Sequence, residues 1–232
     1  MTRVLLILVL FAAVATAQEK VSIQGKVLDA DGAPVAGAMV ATMWDRENPL
    51  GGVVTDAEGM FDLAADYYGR GSIGILVMDK EKKRGVTSIF SAQSFGEVRE
   101  LTLEKLARVS GKFSCKELGT PPPWTNVYVY AQPGDARVLQ CDSREAEFSF
   151  LLPLGDYRIH MYGSDVKDLR EQILLEEDKD FGTIDLGATN LAKLYGKPAP
   201  SINVTAARGV KPEVQFKDFK GRYLLVEFWG FW

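Results

Sequence analysis

The sequence has very little histidine and cysteine, on which many catalytic and metal sites depend. His160 is the only histidine, so the chain cannot form a histidine metal cluster, and it has no partner set for a Ser-His-Asp triad or a Cys-His pair. Basic charge is also scarce, with 27 Lys and Arg against 31 Asp and Glu and a net charge of -4. We therefore expect no nucleic-acid partner, no binding to anionic lipid and no metal site.

Long apolar runs are missing too, apart from the first residues. Arg3 precedes an apolar stretch that ends in Ala15 and Ala17, in A-x-A order. This stretch is shorter than the about 18 residues of a membrane span, and its pattern is typical of a secretory signal. We predict a signal peptide over residues 1–17, cleavage after Ala17, a secreted or periplasmic location and no membrane span in the mature chain.

Cysteine is limited to Cys115 and Cys141, which are too far apart for a C-x-x-C redox pair. In a secreted chain a pair of cysteines favours a structural disulfide. Strand alternation lets both sulfurs point into one core, where a bond would join two strands. The alternative is that both are buried free thiols that pack as small hydrophobic side chains.

Turn residues are abundant and cut the chain into short β-prone segments. "DADGAP", "TDAEG" and "DKEKKRG" separate stretches such as "VSIQGKV", "MFDLAA" and "IGILVMD". Short strands with frequent turn signals are typical of an antiparallel sandwich. The stretch after Ala107 follows the same skeleton, with Gly111 aligned to Gly25 and Phe148 to Phe61. This repeat predicts two tandem sandwiches, over residues 18–104 and 105–187.

The first repeat resembles a known family. "QGKVLDADGAPVAGAMV" followed by "TDAEGMFDL" is similar to the carboxypeptidase regulatory-like domain, and "LPLGDYRIHMY" gives the second repeat a weaker resemblance. The resemblance implies transthyretin-like, Ig-like β-sandwiches, which in that family are generally noncatalytic. Within "YRIHMY", His160 alternates with Tyr157, Ile159 and Met161, so we expect it on a solvated strand face.

The last segment, residues 188–232, has a different character. "GKPAP" and "KDFKGR" precede "YLLVEFW", a nearly continuous apolar run of the kind found in central strands of α/β sheets. In this order they resemble the thioredoxin-like proteins of the alkyl hydroperoxide reductase and thiol-specific antioxidant (redoxin) superfamily. The matching positions are Gly196, Ala199, Pro200, Asp218, Phe219, Lys220, Gly221, Arg222, Phe228, Trp229 and Trp232.

That resemblance implies a mainly β chain that ends in the incomplete N-terminal part of an α/β thioredoxin-like domain. In the family a C-x-x-C motif follows directly, so the chain would be a fragment of a thiol-disulfide oxidoreductase, cut before its catalytic cysteines. Trp229 and Trp232 would line the active site, without a cofactor, and the parent's partner would be a protein disulfide or thiol. A peroxidase is the less favoured branch, because "FWGFW" lacks that branch's Pro and Thr.

A second function comes from another class of protein. If the last segment is a degenerate remnant, the sandwiches are the functional part, and the chain is a noncatalytic extracellular binding or adhesion protein that contacts a glycan or a protein.

Overall fold

The structure, a computed structural model, describes residues 19–69, 71–198, 201, 208–209, 211, 213–223 and 225. Compact contacts divide the chain into two units, Met1–Ala188 and Thr189–Trp232. In the described ranges all regular structure is β-strand or short 3₁₀ turn, and there is no α-helix. The protein is therefore mainly β, as predicted. The predicted signal peptide and its cleavage site lie outside the described residues.

All sixteen strands lie in the first unit. They are β1 (Glu19–Leu28), β2 (Met39–Ala41), β3 (Trp44–Asp45), β4 (Asn48–Pro49), β5 (Val53–Val54), β6 (Met60–Tyr67), β7 (Ile73–Met78), β8 (Arg84–Phe90), β9 (Val98–Thr102), β10 (Glu104–Ser114), β11 (Thr125–Ala131), β12 (Ala136–Ser143), β13 (Glu147–Pro153), β14 (Gly155–Gly163), β15 (Leu169–Leu175) and β16 (Lys179–Asp185).

Strands of the first half form two facing sheets. One has the order β6-β1-β9, and the other contains β8-β7-β2-β5. Alternate residues of both sheets point into one core, which includes Ile23 from β1, Val40 from β2, Leu63 from β6 and Ile75 from β7. The predicted turns join these strands: the Asp29 and Asp56 carboxylates accept backbone N–H bonds within "DADGAP" and "TDAEG".

The second half repeats this arrangement. Strands β13-β10-β16 correspond to β6-β1-β9, and β12-β11-β14-β15 correspond to β5-β2-β7-β8. Gly25 pairs with Phe61 and Gly111 pairs with Phe148. A Cβ at Gly25 would lie 2.6 Å from the Phe61 ring, and one at Gly111 would lie 2.8 Å from the Phe148 ring. Each half thus needs a glycine opposite the phenylalanine at the corresponding position of its neighbouring strand.

The halves are joined through their sheets. Strand β10 pairs with β13 and β16 of its own half and also with β8, which makes one seven-stranded sheet. The β3–β4 hairpin of the first half leaves its own sheets and extends the second half's sheet through a parallel pair with β12. Because β10 begins at Glu104, the predicted boundary between repeats coincides with a strand that belongs to both halves.

Strand β7 lies at the contact between the halves, and all six of its residues are buried. Its Ile75 and Val77 face the first core, whereas Gly74 approaches β12 of the second half. The Trp44 indole Nε1 donates a hydrogen bond to the Leu76 carbonyl oxygen at 2.9 Å. A Cβ at Gly74 would lie 2.6 Å from the Val138 Cγ1, so the backbone of β7 touches the opposite sheet without a side chain between them.

Replacement of Gly74 should weaken the joined fold. A methyl group there would also lie 2.9 Å from the Ala136 Cβ, so Gly74→Ala must push β7 and β12 apart. We expect a loss of about 1–3 kcal/mol in the free energy of unfolding, measured by urea denaturation. Gly187→Ala is the matched control, because a Cβ there meets no atom closer than 3.7 Å. Equal stability of the two variants would contradict the tight contact.

The β7–β8 turn depends on a buried carboxylate. Asp79 is 4% exposed; its Oδ1 accepts the backbone N–H groups of Lys83 and Arg84, and its Oδ2 accepts the Arg84 Nε at 3.0 Å. Burial alone would raise the pKa of Asp79, but the backbone bonds from Lys83 and Arg84, with the guanidinium, outweigh it and hold the pKa below its usual value.

A depressed pKa makes this carboxylate a source of pH-dependent stability. Asp79 should stabilise the fold above its unfolded pKa of about 3.9, and this contribution should disappear as the pH falls through the lower folded pKa. Asp79→Asn should therefore lower the Tm at about pH 7, with a smaller difference from the unmodified protein at about pH 3. Thermal denaturation across this range measures the effect, with exposed Asp31→Asn as control. A difference that is constant with pH would refute it.

The second unit contains no strand within its described residues. Two 3₁₀ turns, Ala192–Leu194 and Phe216–Phe219, are its regular elements. Tyr223 and Leu225, which the sequence placed in an apolar α/β strand, are exposed and belong to no strand. Trp229 and Trp232, the predicted active-site lining, lie outside the described residues. This part of the structure thus supplies no support for a thioredoxin-like α/β layer.

Candidate binding face

Aromatic side chains collect on the outer face of the six-stranded sheet, whose order is β15-β14-β11-β12-β3-β4. Alternation in β11 buries Val127 and Val129 and turns Tyr128 and Tyr130 to the other side. Strand β14 alternates in the same way and places His160 directly beside Tyr128. The inner side chains hold the sheet against the core, so the outer ones stand on a rigid support. We call this outer surface the aromatic face.

The rings of the aromatic face form a continuous row. Tyr128 lies 6.5 Å from Tyr130 and 5.3 Å from Tyr162, measured between ring centroids. Trp124 continues the row at 5.5 Å from Tyr162, in an edge-to-face arrangement. His160 lies 5.1 Å from Tyr162 and 6.4 Å from Tyr128. All five side chains are half-buried, so each packs on its neighbours and still presents part of its ring to solvent.

Two arginines stack on this row. The Arg137 guanidinium carbon lies 4.6 Å from the Tyr128 ring centroid, and that of Arg158 lies 4.0 Å from Tyr130. Such cation–π contacts hold flexible side chains in place. Arg158 also forms a bidentate ion pair with Asp135, with both N–O distances at 2.6 Å. This hydrogen-bonded guanidinium lowers the pKa of the Asp135 carboxyl below its usual value.

His160 deviates from the solvated position predicted for it. Its side chain is only 15% exposed, because the tyrosines pack around it, and its Nε2 lies 2.9 Å from the Asp168 carboxylate. Tyr157, Ile159 and Met161 are buried on the opposite side of β14, as the alternation predicted. His160 therefore fixes the positions of the aromatic rings and has no nucleophile beside it among these contacts.

A buried amide completes the face. Asn126 precedes Tyr128 on the same side of β11 and pairs across the strands with Tyr162 and Asp142. The residue is 6% exposed, and its Oδ1 has no hydrogen-bond donor among the residues that the structure describes. Burial, and then the adjacent Tyr128 phenol, raise the pKa of the Tyr162 phenol, so the Tyr162 phenol stays neutral and can donate a hydrogen bond.

The described residues offer no arrangement typical of catalysis or metal binding. They contain no group of three or more His, Cys, Asp and Glu side chains that could hold a metal ion. A cleft of about 660 Å³ opens beside β10 and β13, with Ser110, Ser143 and Ser149 in its wall but no histidine to activate them. Within the same ranges, no helical segment has the length and apolarity needed for a membrane crossing.

The predicted disulfide is wrong, because Cys115 and Cys141 are both free and buried in the structure. Cys115 lies in the turn after β10, where its carbonyl accepts the N–H groups of Leu118 and Gly119. Cys141 lies in β12, in a different sheet, and its Sγ accepts the Arg46 Nε at 3.3 Å. Its burial raises the pKa of the Cys141 thiol, despite the nearby guanidinium. The alternative reading, two buried free thiols, is the one that the structure shows.

Thiol titration without a reductant distinguishes these states. We expect no reaction of either cysteine with an aromatic disulfide reagent in the native protein, because both side chains are at most 2% exposed. Two thiols per chain should react after unfolding in urea. The single variants Cys115→Ser and Cys141→Ser should each leave one reactive thiol. Absence of reactive thiols in the unfolded protein would show that Cys115 and Cys141 are joined in a disulfide.

Comparison with known proteins gives limited guidance. No family model matches the chain, and no curated protein matches it in sequence. Among solved structures, the TIE protein of Bacillus anthracis is similar at 14% identity and a TM-score of 0.34, with 73% of this chain covered. A streptococcal ancillary pilin has 9% identity, a TM-score of 0.34 and 74% coverage. The shaft pilin SpaA of Lactobacillus rhamnosus GG has 7%, 0.31 and 74%.

This chain spans 34% of the TIE protein and 63% of the ancillary pilin, but 99% of the shaft pilin. TM-scores this low carry no argument about function. The assignment to a thioredoxin-like redoxin protein with carboxypeptidase regulatory-like domains is nevertheless wrong. No family model matches, and the described fold has no α/β part.

The sequence alone did not predict the aromatic face. Its residues come from β11, β12 and β14, and only the pairing of these strands brings them together. A signal was present, because "NVYVY" and "RIHMY" each alternate buried aliphatic residues with polar or aromatic ones. Four of the six outward members of these segments carry aromatic rings, which is unusual for a face that meets only solvent.

Proposed function

We propose that this chain is a noncatalytic binding protein that is secreted or periplasmic and attaches to an extracellular polymer. Its first 17 residues would be the signal peptide, and residues 18–104 and 105–187 would be two repeats of one sandwich. The aromatic face is the observation that supports binding, because five half-buried rings and two stacked arginines form a preorganised surface.

Two further observations fit this proposal. The Tyr, Trp and Arg side chains of the face are the types that contribute most to binding energy at recognition surfaces. Among the described residues no group of His, Cys, Asp and Glu side chains could hold a metal ion, and both cysteines are buried, which fits a noncatalytic role. A face that is rigid before contact also loses little side-chain entropy when a partner binds.

A solid-phase binding assay tests the proposal. Immobilised uncharged polysaccharides, acidic polysaccharides, collagen and fibronectin would be probed with the full chain. We expect retention on at least one of these polymers and a loss of about tenfold in affinity for the double variant Tyr128→Ala with Arg137→Ala. Binding should be unchanged in Tyr68→Ala, which removes an exposed tyrosine from the first half.

The variants must keep the fold for this comparison, which their circular dichroism spectra and Tm values would verify. Failure to bind any of the four polymer classes would reject the binding function. Binding that survives the double variant would show that the aromatic face does not carry it.

A further inference from the structure

We propose that the aromatic face binds a polysaccharide built of uncharged pyranose units. This inference rests on the proposed binding function and specifies its ligand. It follows from three properties of the face: the length of its aromatic row, its unused hydrogen-bonding groups and its balance of charge.

The aromatic row suits a chain of sugar rings. A pyranose carries C–H bonds on its two faces and hydroxyl groups around its rim, so its apolar face stacks on an aromatic ring while the rim stays polar. From Tyr130 through Tyr128 and Tyr162 to Trp124, successive centroids are 6.5, 5.3 and 5.5 Å apart. Several rings in one row offer contacts to successive sugars, which favours a polymer over a single sugar.

Polar groups beside the row can bind hydroxyl groups. The exposed Arg137 is held over Tyr128, and its planar guanidinium can donate two parallel hydrogen bonds to neighbouring oxygens. Asp142, one strand from Asn126, is exposed and can accept from a hydroxyl group. Asn126 adds a buried acceptor whose Oδ1 has no donor in the described part of the chain. A buried acceptor without a donor is costly, so a hydroxyl donor there would be stabilising.

The charges favour an uncharged ligand. Arg158 is neutralised by Asp135, and His160 lies against Asp168. The cations Arg137 and Arg170 are opposed by Asp45 and Asp142, the outward residues of β3 and β12 in the same sheet. The exposed Asp156, on the same side of β14, adds one further carboxylate. With no excess of positive charge, the face would not attract a polyanion.

Aliphatic side chains are scarce on the face, where the exposed Leu174 lies at one end of β15, and this scarcity argues against a protein partner. The pairs across the sheet place Arg170, His160, Tyr128, Gln140 and Asp45 in one row. The row through Tyr130 contains Gln172, Arg158 and Arg137, and the row through Tyr162 contains Asn126 and Asp142. The core of a protein interface is usually more apolar than this. A surface on which aromatic, amide and charged groups predominate suits a polyhydroxylated ligand.

Affinity electrophoresis in native gels tests the inference. Gels would contain mixed-linkage β-glucan, galactomannan or soluble starch as uncharged polymers, and alginate or polygalacturonate as acidic ones. We expect at least one uncharged polymer to retard the full chain, with an affinity that Tyr128→Ala or Tyr162→Ala reduces by about tenfold. Neither acidic polymer should retard it more strongly. Because both tyrosines are half-buried, the exposed Arg137→Ala is a further variant that should weaken retardation without loss of Tm.

The control is Tyr68→Ala, which should migrate like the unmodified protein in every gel. Stronger retardation by the acidic polymers, or face-dependent binding to collagen or fibronectin alone, would overturn the polysaccharide inference and leave the binding function standing. If Tyr128→Ala, Tyr162→Ala and Arg137→Ala are all retarded as strongly as the unmodified protein, the assignment of binding to this face is wrong. If no polymer of any class binds, the binding function fails with it.

Discussion

The contact between β7 and β12 determines the arrangement of the first unit. Because Gly74 has no side chain, the seven-stranded sheet that contains β7 can approach the six-stranded sheet closely. At this distance the Trp44 indole reaches the Leu76 carbonyl oxygen. Strand β7 is then covered on both sides and can be entirely apolar. The β3–β4 hairpin pairs with β12 and extends the sheet that carries the aromatic face. The inner side of that sheet thus packs against Gly74.

Local signals in the sequence predicted the local structure. The Asp-Gly turns, the alternation in the strands and the glycine–phenylalanine pairs of the two repeats each depend on residues that are close in sequence or repeated in order. The sequence could not predict that the β3–β4 hairpin of the first half joins a sheet of the second half. Its partner β12 lies about 90 residues away, and no local pattern encodes the pairing. The prediction of a thioredoxin-like domain over residues 188–232 was wrong, because an apolar run and a short motif occur in many folds.

The candidate site was harder to predict than the fold for the same reason. Tyr128 and Tyr162 belong to strands that a single sequence does not place side by side, and only their register makes the two rings neighbours. The cysteines were read from the redox chemistry of a presumed compartment, whereas their separate sheets leave both thiols free. Residue types argued against several kinds of chemistry, but only the geometry showed which side chains form one continuous surface.

The corresponding strands β7 and β14 differ in what covers the side that faces away from the core. In β7 the side of the strand away from the core carries Gly74, Leu76 and Met78, all of which are buried against the neighbouring half. In the corresponding β14 that side carries Arg158, His160 and Tyr162, which are half-buried and lie on the outer face of the sheet. The two halves are therefore not interchangeable, because the side of the strand that is buried in β7 carries a cation and aromatic rings in β14.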